Sequence, residues 1–133
     1  MHCRTYLAAI SLIGALLLPA HGAAEDLPIP EAWSTHYAWF LVANPEYASA
    51  SKDEESNLTA AHIQYQLRLQ EDGRAIVAGG LGEGPGELLV GLTILRAGSL
   101  AEAQAIADAD PAVKAGRLMA WVREWWVPAE RLP

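Results

Sequence analysis

From His36 to Val42 the chain reads HYAWFLV, a run of aromatic and β-branched residues that predicts a strand ending at Asn44-Pro45. Tyr47 to Asn57 is polar, yet Ser51 and Glu54 stand three apart, the spacing of a capping box that can open a helix. Helical periodicity is firm from Leu58 to Gln70 and stops at Asp72-Gly73. Ala75 to Ala78 (AIVA) predicts a short second strand, Gly79 to Gly86 (GGLGEGPG) a loop, and Leu88 to Leu95 (LLVGLTIL) a third strand. A second capping box, Ser99 with Glu102, opens a helix that runs through Ala107. Asp110-Pro111 starts a further turn, with Asp110 as N-cap and Pro111 at the first helical position, and Gly116 ends it. Arg117 to Val127 (RLMAWVREWWV) predicts the last strand. The order β-α-β-β-α-β is the split βαβ of ferredoxin-like folds: an α+β domain with a four-stranded antiparallel sheet and its helices on one face.

A sheet with helices on one face needs apolar residues on that face only, but these strands are apolar on both. In the third strand Leu88, Val90, Leu92 and Ile94 alternate with Leu89, Leu95 and the small Gly91 and Thr93. In the first, Tyr37, Trp39 and Leu41 alternate with Phe40 and Val42; in the last, Met119, Trp121 and Trp125 alternate with Leu118, Val122 and Trp126. A sheet apolar on both faces has to be covered on both. The expected cover is a second copy of the chain, which makes the protein a homodimer. The alternative is a monomer covered by its own leader and the segment 47–57.

The 133 residues suffice for one domain, and the first 24 stand outside it. Met1 to Arg4 form a short n-region with one positive charge, and Tyr6 to Leu18 are almost wholly apolar. Pro19 breaks that run, and the small residues Ala20, Gly22, Ala23 and Ala24 suit cleavage after Gly22 or Ala24. The apolar run falls short of the roughly 20 residues that span a bilayer. The expected organisation is a signal peptide over 1–24, a leader over 25–35, the α+β domain over 36–128 and a tail over 129–133. The protein is then periplasmic or secreted, with no membrane anchor after processing. Cys3 is the only cysteine and lies in the n-region, so the mature chain has no disulfide and no thiol chemistry. Without Arg4, eight basic residues face sixteen acidic ones, a net charge of −8 that disfavours nucleic acid as a partner.

The glycine-rich stretch 79–86 lacks the lysine-plus-hydroxyl ending of a phosphate loop, does not match the dinucleotide fingerprint, and leads into a strand rather than a helix. It reads as a connection that can border a cleft. His62 is the candidate with chemical interest, because it falls on the helical stripe of Leu58, Ala61, Tyr65 and Leu69 that should face the sheet. A histidine there needs a partner for its ring, and a purely structural role is the competing reading. His36, beside the first strand, is a weaker candidate. Asp110 has an ordinary explanation as a helix cap. The two mature histidines and scattered carboxylates give no metal-ligand spacing, no serine sits in a nucleophile-elbow context, and no cofactor is expected.

The stretch from His62 through Tyr65, Leu69, Gly73 and Gly79, then Ser99-Leu100-Ala101-Glu102-Ala103 and Asp110-Pro111-Ala112-Val113-Lys114-Ala115-Gly116, resembles the YciI-like (YCII-related) domain family over about residues 36–127. The resemblance implies a dimeric α+β barrel and a His–Asp dyad in a cleft, carried by position onto His62 and Asp110. Relatives include a dehydrochlorinase acting on a chlorinated hydroxyquinol, and the fold is shared with muconolactone isomerase. Thr59 stands where many relatives carry arginine, and Ala112 where they carry an aromatic residue; both changes bear on anion recognition and pocket shape. Two functions follow as expectations. One is a cofactor-free isomerase or lyase in which His62, oriented by Asp110, moves a proton on a small cyclic or aromatic substrate. The other is a non-catalytic small-ligand-binding or interaction module on the same fold. The state of the cleft around His62 discriminates between them.

Overall fold

A computed structural model describes residues 26–48, 51–82, 84, 88–129 and 131–132. The expected signal peptide, its cleavage site, Cys3, His2 and His21 lie outside these residues. The element order is β1 (Trp33–Ala43), α1 (Lys52–Glu71), β2 (Ala75–Gly80), β3 (Leu89–Leu95), α2 (Leu100–Asp108), α3 (Pro111–Lys114) and β4 (Leu118–Pro128). The strands form one antiparallel sheet in the order β2-β3-β1-β4, the ferredoxin-like arrangement.

The helix boundaries follow from side-chain caps. Ser51 accepts from the Glu54 amide at 3.1 Å and Ser99 from the Glu102 amide at 3.1 Å, each occupying a donor that the first helical turn cannot pair internally. At α2 the Glu102 carboxylate also reaches back, accepting from the amide of Gly98, the residue before the cap, at 2.8 Å. Asp110 caps α3 through the Ala112 amide, with Pro111 in the first turn. Gly73 after α1 and Gly116 after α3 take the left-handed backbone that ends a helix, at φ of +71° and +75°.

Two boundaries differ from the sequence reading. β1 begins at Trp33, because Trp33, Ser34 and Thr35 pair with Pro128, Val127 and Trp126 of β4, so the leader is shorter than 25–35. β2 runs through Gly79 and Gly80, which pair with Leu92 and Gly91, so the connecting loop starts at Leu81. In both places a partner strand imposes extended structure on residues with little strand preference of their own.

The registers fix the faces. Tyr37, Trp39 and Leu41 of β1 lie opposite Leu95, Thr93 and Gly91 of β3 and opposite Glu124, Val122 and Ala120 of β4. Most of these enter the core with Leu69 of α1, Ala103, Ile106 and Ala107 of α2 and Ala112 of α3. The other face carries Ala38, Phe40 and Val42 of β1 beside Leu92 and Ile94 of β3 and Met119, Trp121 and Trp125 of β4. Trp121 and Trp125 there keep 52 % and 40 % exposure.

Candidate functional site

α1 and α3 bring together the two residues that the sequence separates by 48 positions. His62 Nδ1 lies 2.8 Å from Asp110 Oδ2. The carboxylate is fully buried, and its cap role governs its orientation: Oδ1 accepts from the Ala112 amide at 2.8 Å, leaving Oδ2 for α1. An ionised carboxylate only accepts, so the imidazole donates through Nδ1–H and, when neutral, keeps its lone pair on Nε2. Nε2 has no protein partner among the described residues, and the ring keeps 20 % exposure at the border of a cleft. A base with an open lone pair, held in one tautomer by a buried anion, is an arrangement suited to proton transfer.

Two further side chains extend the pair. Gln66, one helical turn beyond His62, donates from Nε2 to the same Asp110 Oδ2 at 3.3 Å and accepts on Oε1 from the Thr93 hydroxyl of β3 at 2.9 Å. The sequence reading missed both. The signal for Gln66 is its i+4 spacing from His62; for Thr93 it is a hydroxyl interrupting an otherwise apolar strand. Tyr65, from the stripe that contains His62, donates to the Ile106 carbonyl at 2.7 Å. Burial pushes its phenol above the ordinary 10.0, with Asp110 acting the same way and the Arg74 and Arg68 guanidinium groups opposing.

The cleft lies between α1 and the sheet and encloses about 200 Å³. Leu41, Ile63, Val90 and Leu118 supply apolar wall, while His62, Gln66, Gln70 and Thr93 are polar points on it. Gly91 marks a close approach: a Cβ there would sit 2.8 Å from Leu41 Cδ1 and 3.1 Å from the Gly79 carbonyl oxygen, so any side chain would force its neighbours to shift. The glycine stretch thus borders the cleft with Gly79 and Gly80 in strand conformation.

The remaining candidates resolve as follows. His36 projects from the opposite face of β1, paired in register with Trp125, away from the cleft. Thr59 accepts from Arg117 Nη1 at 2.7 Å, and Arg117 Nη2 meets Glu55 Oε1 at 2.7 Å, so the arginine just before β4 is tied to α1 ahead of His62. Ala112 is fully buried in the core beneath the Asp110 cap. Among the described residues no group of three histidine, cysteine or carboxylate side chains is placed to hold a metal ion.

Comparison with known proteins adds a family and a structural neighbour. No curated protein is detectably similar in sequence. The 5-chloro-2-hydroxyhydroquinone dehydrochlorinase from Burkholderia phenoliruptrix AC1100, solved in complex with 2,5-dihydroxybenzoquinone, is similar in structure, with 25% sequence identity and a TM-score of 0.50 over 68% of this chain and 92% of that one. The model of the YCII-related domain matches residues 36–125, a span that holds most of β1, all of α1 and the helix-cap carboxylate together with the cleft residues, and this chain belongs to that family.

Proposed function

We propose that the chain is an exported, cofactor-free enzyme in which His62, oriented by Asp110, moves a proton on a small cyclic or aromatic substrate in an isomerisation or elimination. The observation that carries this reading is the 2.8 Å bond from Nδ1 to a buried carboxylate, on a ring that borders an open cleft. In an isomerisation Nε2 takes a proton from one carbon and the imidazolium returns it to another. In an elimination the electron pair left behind expels the leaving group. The similarity to a dehydrochlorinase supports the second. A non-catalytic small-ligand-binding module is the competing reading, favoured by the largely apolar wall.

The test is turnover of chlorinated and hydroxylated aromatic substrates by the purified mature protein. His62→Ala is expected to lower turnover by about a hundredfold or more while the fold is retained. Asp110→Asn keeps a capping side chain but removes the charge that holds the imidazole, so it should lower activity with a smaller loss of stability than Asp110→Ala. A His62→Ala protein as active as the parent sinks the catalytic reading; tight binding without turnover of any such compound favours the module. Export, supported by the apolar run and small residues before Glu25, predicts a native N-terminus at Ala23 or Glu25 by mass spectrometry. An intact Met1 would overturn it.

A further inference from the structure

Hydrogen-bond direction around Asp110 admits a single solution. Asp110 Oδ2 is an acceptor, so the Gln66 group facing it at 3.3 Å is the amide nitrogen. Gln66 Oε1 then faces Thr93, whose hydroxyl has to donate. With both ends of the amide assigned, Gln66 Nε2 keeps a second hydrogen for which the described residues supply no acceptor. Gln66 is only 7 % exposed, yet it borders the cleft beside His62. A polar hydrogen held in place from two sides, beside the unpartnered Nε2 of the His62 ring, forms a donor–acceptor pair at the wall of a largely apolar cleft that Thr93 and Gln70 also line. Charge narrows what can enter: among the described residues lining the cleft there is no lysine, arginine or carboxylate. An anionic ligand would leave water without a permanent cation to meet it.

We propose that Gln66 is the recognition residue of this cleft, donating its free amide hydrogen to an oxygen acceptor on an uncharged, single-ring ligand whose hydrogen faces His62 Nε2. This names the ligand class for the site read above as a His62–Asp110 centre, and it rests on that reading. The cleft volume of about 200 Å³ suits one ring with small substituents.

Three probes separate the terms, with binding to the full mature protein followed by calorimetry. These are 4-hydroxybenzamide (neutral, with a carbonyl acceptor), 4-hydroxybenzoate (the same shape as an anion) and phenol (neutral, without the acceptor). The wild-type protein should bind the amide about tenfold more tightly than either of the others. Gln66→Met, which keeps bulk and removes the donor, should abolish the preference for the amide over phenol. Thr93→Val keeps Gln66 but removes its tether, and should weaken amide binding severalfold, so the proposal stays testable if Gln66→Met does not fold. Benzoate binding as tightly as the amide, an undiminished amide preference in both variants, or no binding of any probe to the wild type overturns the proposal. The dyad reading is judged separately, from the NMR signal of the His62 Nδ1 hydrogen and its loss of protection from exchange with water in Asp110→Asn. Recognition by Gln66 can therefore fail while the dyad stands.

Discussion

Asp110 divides its two oxygens between the backbone and the imidazole, and this division explains why one residue serves both the fold and the candidate site. Oδ1 stabilises the start of α3; Oδ2 collects donors from His62 and Gln66. Such a buried acceptor is costly to remove, because each orphaned donor loses roughly 1–3 kcal/mol. Tyr65 is the neighbour whose chemistry is most exposed to pH. Its folded-state phenol titrates above the unfolded value of 10.0, chiefly through burial. The sign follows from proton counting: as pH rises past 10.0 the unfolded chain releases this proton before the folded one does, so stability present below that pH is lost as it rises toward the folded value. Tyr65→Phe is expected to cost about 1 kcal/mol near pH 8 through the lost bond to Ile106, and to flatten the alkaline loss of stability. Urea unfolding at pH 8 and above pH 10 checks both; an equally steep alkaline decline in the variant would remove Tyr65 as its cause.

Among the elements, α1 and β3 do most to build the site. α1 carries His62 and Gln66 one turn apart, so that both reach a single carboxylate, and β3 supplies Thr93 and the close approach at Gly91. Gly91→Ala should destabilise the domain by about 1–3 kcal/mol, because Leu41 and the Gly79 carbonyl leave no room for a methyl group. Denaturant unfolding measures the cost, and unchanged stability would mean that the β2–β3–β1 contact relaxes freely. These elements also show what the sequence makes legible. The phase of α1 and the Asp-Pro cap are plain from spacing, and with them comes the turn of His62 toward the sheet. Gln66 is not, since a glutamine on a charged helix looks like solvated surface until Asp110 and Thr93 are seen on either side of it. Trp33 to Thr35 and Gly79-Gly80 are hidden for another reason: their strand conformation belongs to the pairing with β4 and β3, which local preference does not contain.

For the molecule as a whole, the second apolar face of the sheet is only partly covered in the single chain: Ala38, Val42 and Ile94 are buried there, while Trp121 and Trp125 stay exposed. Homodimerisation through that face is a proposal supported by the exposed Trp121 and Trp125 beside Phe40, Leu92 and Met119. The structure assigns the alternate sets that the sequence leaves open: Leu92 and Ile94 of β3 lie on this face, Gly91, Thr93 and Leu95 on the helix side. Light scattering on the mature protein is expected to give twice the chain mass. Trp121→Glu, at a position exposed in the single chain, should yield a folded monomer, because an unpaired charge in the interface costs several kcal/mol. A wild-type monomer at high concentration would leave the face uncovered and the proposal wrong.

The distribution of tryptophan has an optical consequence. Trp39 is sealed in the core with no acceptor for its indole hydrogen among the described residues, whereas Trp33, Trp121, Trp125 and Trp126 meet solvent in the single chain. Indole emission moves to longer wavelength as water reaches the ring, so the protein carries two reporters that respond to different events. Dilution of a dimer would redden the signal from Trp121 and Trp125 while Trp39 stays blue and sheltered from quenchers such as acrylamide. Only unfolding of the domain would expose Trp39 in turn, and the gap between the two colour changes would time dissociation against the loss of the core.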